Sequence, residues 1–225
     1  MSEDNVKICA SVLTWNHITT GRADMFARTC LSLTDGGVPV SVRVITNGST
    51  DGTQDVVKRL GGIVDDTHTQ VWYGMERGIE DAIARGGDII LFTADDIEYK
   101  HGWAEKLLAF WQDAPDEVII ACLFLEDCWP WNTVRGYLDT AGGRALLRDS
   151  VPGSCWSFRA RDWAKIAPLP RIMPGEDMEV VKRLTGQGYL LAALDLATHT
   201  GEAHSAWGNQ SHTWSVPLDR ARWGL

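Results

Sequence analysis

The sequence lacks any hydrophobic run of the ~20 residues that a membrane-spanning helix needs. Its first residues, MSEDNVK, are polar and acidic, whereas a secretory signal peptide begins basic and then turns apolar. We therefore expect no membrane span and a cytoplasmic location. The five cysteines form no CxxC pair, which argues against a zinc site or a disulfide framework and favours reduced, mostly buried thiols.

Basic residues are also scarce. The chain has 21 lysines and arginines but 30 aspartates and glutamates, which gives a net charge of -9. Such a surface repels polyanions, which weighs against tight binding of duplex nucleic acid. An acidic protein that handles phosphates is expected to place a divalent cation between itself and them. The 225 residues, 44% of them hydrophobic, can bury one full core, so we expect a single domain.

Apolar runs alternate with helical patterns along the first half of the chain. The predicted strands are residues 6–14, 40–46, 61–66 and 88–93, and the predicted helices are residues 21–33, 54–60, 73–87 and about 101–111. This alternation predicts a parallel sheet with right-handed crossovers. The segments TWN, TNGSTDGT and TADD then all leave the sheet at its carboxyl edge, where open α/β sheets bind ligands.

Two of these polar segments also have a purely structural interpretation. Asn47-Gly48 is a common turn dipeptide, and Asp51 or Thr53 would then be the N-cap of the next helix. Asp95 and Asp96 would likewise suit a solvated turn, although adjacent carboxylates beyond a buried strand also suit a hard divalent cation. Local chemistry leaves both interpretations open.

Five segments, in this order and spacing, resemble the GT-A-fold glycosyltransferases of family 2: SVLTWN, VITNGSTDGT, GMERGIEDA, LFTADDIEY and MPGEDMEVVKRLTGQGY. The resemblance implies an α/β GT-A (Rossmann-like) fold, with a mostly parallel sheet flanked by helices and an acceptor-side elaboration in the C-terminal third. Residues 1–225 would form one domain. Its halves would be a nucleotide-sugar-binding part (1–100) and a part that holds the acceptor and the catalytic base (101–225).

The resemblance implies a nucleotide-diphosphate sugar as donor and Mn²⁺ or Mg²⁺ as cofactor. The residues that it assigns to donor contacts are Thr14, Asn16, Thr46, Asn47, Ser49, Asp51, Arg77 and Asp95. Thr46 stands where the family usually has an acid that reads the base, so the choice between UDP and GDP stays open. Arg77 has an alternative interpretation as a surface arginine on a helix.

The metal motif departs from the family pattern Asp-x-Asp, because Ala94 stands where the first aspartate is expected. The resemblance then makes Asp96 the preferred metal ligand and Asp95 its neighbour. It also implies that His199, after the last core strand, contacts the metal or the diphosphate, with His204 as the reserve candidate.

The segment MPGEDMEVVKRL predicts a helix that carries Glu176 and Asp177 in its first turn. Acids at that position stabilise a helix by ~0.3–1 kcal/mol through its dipole, which explains their presence equally well. The resemblance implies instead that Asp177, with Glu176 beside it, is the catalytic base. It would take the proton of the acceptor hydroxyl in a metal-assisted reaction that inverts the anomeric centre.

The acceptor is a hydroxyl-bearing molecule of unknown class. Trp129 and Trp131 are its predicted platform, because Pro130 disfavours regular structure there and Trp faces stack on rings. A minor alternative acceptor is a hydroxylated base in viral DNA, which a basic cluster would allow: Arg159, Arg161, Arg171, Lys182 and Arg183. The alternatives to a transferase are an inactive nucleotide-sugar-binding module and a sugar nucleotidyltransferase.

Overall fold

A computed structural model describes residues 6–65, 70–125, 133–171 and 176–200. Its strands are β1 (Ile8–Thr14), β2 (Val40–Asn47), β3 (Ile63–Asp65), β4 (Ile89–Ala94), β5 (Ile97–Tyr99), β6 (Val118–Cys122), β7 (Val134–Thr140), β8 (Gly143–Arg148), β9 (Cys155–Arg159), β10 (Leu190–Ala193) and β11 (Ala197–His199). Its helices are α1 (Ala23–Leu33), α2 (Thr53–Arg59), α3 (Val71–Ala84), α4 (Trp103–Asp113), α5 (Trp163–Ile166) and α6 (Glu176–Gly186). A 3₁₀ turn, Ala160–Asp162, precedes α5.

A nine-stranded sheet in the order β3-β2-β1-β4-β9-β6-β10-β8-β7 forms the centre of the described residues. Within it, β8 and β9 run opposite to the other seven strands, so the sheet is mostly parallel as predicted. The strands and helices predicted for the first half of the chain are confirmed, with ends shifted by a few residues. The short strand β5 was not predicted, and it pairs antiparallel with β11 in a separate two-stranded sheet.

The central strands are buried almost throughout, which explains their continuous apolar sequences. In β4, β6 and β9, every residue but Ala94 is buried. Strands covered by helices on both faces have no solvent side and therefore show no alternation of polar and apolar residues. Trp103 and Trp156 are fully buried in this core.

Helix α3 packs closely on the carboxyl ends of β1 and β2 because it has glycines four residues apart. A Cβ atom at Gly78 would lie 2.6 Å from Cδ1 of Ile45, and one at Gly74 would lie 2.7 Å from Oδ1 of Asn47. Ser11 Oγ also donates a hydrogen bond to the Gly78 carbonyl at 2.6 Å. The helix therefore forms one wall beside the end of β2.

None of the cysteines in the described residues is in a disulfide: Cys9, Cys30, Cys122 and Cys155. All are buried except Cys30, which is partly exposed, so the prediction of reduced and mostly buried thiols is confirmed for these four. No helix in the described part of the chain is long and apolar enough to cross a membrane.

Candidate active site

Three polar segments meet at one edge of the sheet. The register pairs Thr14 of β1 with Thr46 of β2, and Leu13 of β1 with Ala94 of β4. All three strands are parallel, so the segments that follow them leave at the same carboxyl edge. The predicted convergence of TWN, TNGSTDGT and TADD is confirmed.

The loops after β1 and β2 are tied together by side chains assigned to donor contacts. Asn16 adopts a left-handed backbone conformation, with φ at 45°, which asparagine tolerates better than most residues. Its backbone N–H donates to Ser49 Oγ at 3.0 Å, and its Oδ1 accepts from Thr50 N–H at 2.8 Å. Ser49 Oγ also lies 2.5 Å from Oγ1 of the fully buried Thr46. These polar groups fix the shape of the loops.

Asp51 also joins these two loops by hydrogen bonds. Its Oδ2 accepts from the backbone N–H of Thr19 at 2.7 Å and from the Thr19 hydroxyl at 3.0 Å. Its Oδ1 accepts from the backbone N–H of Thr53 at 3.1 Å and from the Thr53 hydroxyl at 2.6 Å. Burial alone would raise the pKa of Asp51, but these hydrogen bonds outweigh it and lower the pKa to about 2.

The N-cap of α2 was predicted wrongly. Gly52 occupies that position with a left-handed φ of 87°, rather than Asp51 or Thr53. A glycine allows this left-handed step without steric cost, and Asp51 still satisfies the first helical N–H, that of Thr53. The carboxylate thus supports the helix from one residue further out than expected.

Asn47 and Arg77 occupy different environments. Asn47 is buried at the end of β2, where its Nδ2 donates to the Gln70 carbonyl at 2.8 Å. Arg77 is exposed on α3, a position that also fits its alternative interpretation as a surface arginine. Asn47 therefore joins β2 to the start of α3, whereas Arg77 faces solvent.

Asp95 is saturated by buried donors. The Arg22 guanidinium donates from Nη1 to Asp95 Oδ1 at 2.8 Å, and the Thr14 hydroxyl donates to Oδ2 at 2.5 Å. Burial raises the pKa of Asp95 to about 6, although Arg22 and Thr14 oppose the shift. The sequence did not indicate a role for Arg22, because nothing in the local pattern at the start of the predicted helix 21–33 predicts that an arginine there is buried.

Asp96 differs from its neighbour in having an open oxygen. Its Oδ1 atom is buried and has no hydrogen-bond partner among the described residues. Its Oδ2 lies 3.4 Å from Nε2 of His199, a residue brought here by the pairing of β11 with β5. The backbone N–H and the hydroxyl of Thr200 both donate to the Asp96 carbonyl at 2.9 Å. The structure thus brings together the two residues assigned to the metal.

The His199 ring is held in place by a stacking contact with Phe124, with centroids 5.5 Å apart and an interplanar angle of 23°. Among the described residues no group of three or more His, Cys, Asp or Glu side chains could hold a metal ion. Asp96 and His199 therefore offer one carboxylate and one imidazole to a metal, and further ligands would have to come from a bound molecule or water.

Asp177 lies in the first turn of α6, as predicted. Its Oδ2 accepts from Gly153 N–H at 2.9 Å and its Oδ1 from Met178 N–H at 2.8 Å. Desolvation by the surrounding protein raises the pKa of this carboxyl, against the effect of the two backbone N–H groups. Next to Gly153, the Ser154 carbonyl accepts from Ala94 N–H at 2.7 Å. This turn connects Asp177 to the TADD segment.

Several predicted residues cannot be placed. Trp129, Trp131 and His204 lie outside the described residues, as does the side chain of Glu176. Their assigned roles stay predictions.

Two residues of the basic cluster considered for nucleic acid, Arg159 and Arg183, have partners within the protein. Arg159 is buried, donates to the Trp111 and Ala114 carbonyls, and stacks on the Trp111 ring at 4.8 Å. Arg183 donates to the carbonyls of Ile166 and Pro168. These two arginines join parts of the fold, whereas Arg161, Arg171 and Lys182 are exposed. A role of the cluster in contacting DNA stays a prediction.

The model of the family described as "Glycosyl transferase family 2" matches residues 17–162. The chain belongs to glycosyl transferase family 2. No curated protein matches this family 2 chain.

Solved structures show the same fold at low identity. The family 2 chain is similar to the mannosyltransferase PcManGT from Pyrobaculum calidifontis in complex with GDP-Man and Mn²⁺, with a TM-score of 0.64, 14% identity, and coverage of 94% of this chain and 60% of that one. It is similar to S. aureus TarS 1-349, with a TM-score of 0.59, 14% identity, and coverage of 87% and 61%. It is also similar to GalNAc-T7 with UDP, GalNAc and Mn²⁺, with a TM-score of 0.61, 12% identity, and coverage of 87% and 44%.

These likenesses confirm the predicted GT-A fold. The chain spans between 44% and 61% of the length of the three structures. Because the identities are low, the likeness extends to the fold alone.

Proposed function

We propose that this family 2 glycosyltransferase moves a sugar from a nucleotide-diphosphate sugar to an acceptor hydroxyl, with inversion at the anomeric carbon. The observation that carries the proposal is the buried, unpartnered Oδ1 of Asp96 beside His199. It lies at the sheet edge where three polar segments converge, which is the usual ligand site of open α/β sheets. An unpaired buried oxygen is costly, and binding a cation would remove that cost.

The site suits Mn²⁺ or Mg²⁺. Carboxylate oxygens suit both ions, and imidazole nitrogen suits transition metals better, which favours Mn²⁺. Asp96 and His199 would hold the ion, and the metal would stabilise the negative charge of the leaving diphosphate. Both PcManGT and GalNAc-T7 were solved with Mn²⁺, which supports the choice.

Asp177 is the proposed base. Its two backbone hydrogen bonds fix the carboxylate, and the Gly153–Ser154 turn connects it to the end of β4. It would take the proton from the acceptor hydroxyl while that oxygen attacks the anomeric carbon from the face opposite the diphosphate. Attack from that face inverts the centre. Glu176, its neighbour in the sequence, is proposed to assist.

The donor pocket is proposed to be shaped by the tied loops. Asn16, Ser49 and Asp51 would act mainly by holding these loops in place, because their polar groups already have protein partners. Thr14, Thr46, Asn47 and Asp95 also have protein partners, and they stay in the proposed donor-binding set through the shape that they give the pocket. Arg77 stays in the set as a solvent-facing cation. The solved relatives contain GDP-Man in one case and UDP in another, so the base is proposed to be either guanine or uracil.

Release of nucleoside diphosphate tests this function. A panel of UDP and GDP sugars with Mn²⁺ should yield NDP with the wild type, with activity lost in Asp96→Ala and Asp177→Asn. Glu80→Gln, a change at an exposed acid on α3, is the matched control and should keep activity. Thermal stabilisation by a donor without turnover would instead identify a binding module. Pyrophosphate release from a nucleoside triphosphate and a sugar phosphate would identify a nucleotidyltransferase.

A further inference from the structure

We propose that Arg22 is a positioning residue of this site, which occupies Asp95 and thereby leaves metal binding to Asp96 and His199. The inference deepens the proposed function and rests on its metal site. Arg22 is the N-cap residue of α1, at the end of the loop after β1, and the sequence suggested no chemical role for it.

Each of the three nitrogen atoms of the Arg22 guanidinium donates a hydrogen bond within the protein. Its Nη1 donates to Asp95 Oδ1 at 2.8 Å, its Nη2 to the Trp15 carbonyl at 2.8 Å and its Nε to the Thr20 hydroxyl at 3.1 Å. The Arg22 and Asp95 side chains are only 6% and 3% exposed. Buried charges of this kind are tolerated when they are paired, and removing one partner leaves the other uncompensated. Arg22 is therefore held in place on Asp95 and on the loop after β1.

The second oxygen of Asp95 is equally occupied. The single hydroxyl proton of Thr14 is donated to Asp95 Oδ2, so Thr14 Oγ1 must accept in its 3.1 Å contact with His17 Nδ1. His17 is buried and stacks on Phe26 with ring centroids 4.5 Å apart. Burial lowers the pKa of His17, which favours a neutral ring with its proton on Nδ1. Both oxygens of Asp95 thus have buried donors.

The two adjacent carboxylates therefore differ in whether their oxygens have partners within the protein. Asp95 is saturated and neutralised by Arg22, whereas Asp96 keeps a buried oxygen without a partner. A cation at this edge meets one uncompensated carboxylate from the pair. Without Arg22, Asp95 Oδ1 would lose its donor, and a cation held by Asp96 could then take it as a further oxygen ligand.

The proposal predicts that loss of the Arg22 charge lowers the stability of the protein and raises its affinity for Mn²⁺. Arg22→Met should lower the Tm of the metal-free protein and should tighten Mn²⁺ binding in the absence of donor by roughly tenfold, equivalent to ~1.4 kcal/mol. Arg22→Lys, which keeps the charge, should bind Mn²⁺ as the wild type does. The double variant Arg22→Met/Asp95→Asn removes both charges and should return Mn²⁺ affinity to the wild-type value.

Free Mn²⁺ is measured by electron paramagnetic resonance for the full chain and each variant, with Asp96→Ala as the variant that should lose binding. A lower Tm with unchanged Mn²⁺ affinity in Arg22→Met would show a merely structural role and overturn the proposal. If Arg22→Met does not fold, the double variant Arg22→Met/Asp95→Asn is measured instead. Loss of Mn²⁺ binding in that variant would show that Asp95 itself ligates the metal, which would overturn the proposal. Absence of Mn²⁺ binding in every protein would also overturn it. If the variants bind Mn²⁺ as predicted but the protein transfers no sugar, the proposed function is rejected and the role of Arg22 is not.

Discussion

Nε2 of His199 lies 3.4 Å from Oδ2 of Asp96, although the two residues come from opposite halves of the chain. The contact exists because β11 pairs antiparallel with β5, which begins one residue after Asp96. His199 is also stacked on Phe124, so its ring direction is fixed from outside the site. A short strand pair thus assembles the candidate metal site.

Replacing His199 by Ala should weaken Mn²⁺ binding in the presence of UDP or GDP by roughly tenfold or more, the cost usual for changes at a metal site. Asp96→Ala should weaken it further, because it removes the only carboxylate with an open oxygen in the described site. Calorimetric titration with Mn²⁺ measures both. Unchanged affinity in His199→Ala would remove His199 from the site.

Replacing Gly153 by Ala should damage catalysis more than folding. The new Cβ would lie 2.6 Å from Cβ of Asp177, so the base would be pushed from its position. We expect kcat to fall by roughly 10- to 100-fold, as small misplacements of reacting groups can cause.

The matched control is Gly186→Ala at the end of the same helix, where a Cβ would meet no atom within 4 Å. It should keep the wild-type kcat. Equal kcat values for Gly153→Ala and Gly186→Ala would show that the position of Asp177 does not matter for turnover.

On the acidic side, kcat/KM should rise with pH, and the midpoint of this rise should lie above the ordinary aspartate pKa of ~3.9. A base must be ionised to accept a proton, and burial raises the pKa of Asp177, so the rate rises with pH through that raised value. The profile is measured across this range with a donor and an acceptor that the enzyme uses. A midpoint at or below the ordinary aspartate pKa would contradict the assignment of Asp177 as the base.

Asp51 should stabilise the fold in a defined acidic window. Its pKa is lowered to about 2 in the folded protein, below the ~3.9 of an unfolded aspartate. The stability that it contributes is therefore present above the unfolded value and is lost as the pH falls towards the folded one. Urea unfolding of the wild type and of Asp51→Asn should differ most above the unfolded value and converge as the pH approaches 2. A constant difference across this window would contradict the assigned hydrogen bonds.

The sequence predicted the parts of the site that depend on local pattern and on strand order. Continuous apolar runs gave β1, β2 and β4, and their parallel order placed the loops that contain Asn16, Ser49 and Asp96 at one edge. The acids that open a helix after Pro174-Gly175 predicted the position of Asp177.

Other parts were beyond the sequence because they depend on distant partners. The three residues of β5 have too little periodicity to predict a strand, and their pairing with β11 is a long-range event. The insertion of β9 between β4 and β6 is set by tertiary packing in the same way. Arg22 falls at the start of the predicted helix 21–33, where nothing in the sequence indicates burial, and its burial follows only from its pairing with Asp95.

The central claim is that Asp96, with His199, holds the cation that binds the donor diphosphate. It is tested most directly by the binding of UDP and GDP to the wild type, Asp96→Ala and Glu80→Gln, each with Mn²⁺ and with EDTA. The claim predicts binding that requires Mn²⁺ in the wild type and in Glu80→Gln, and no Mn²⁺-dependent binding in Asp96→Ala. Binding of equal strength in Asp96→Ala and the wild type, or binding that EDTA leaves unchanged, would contradict it.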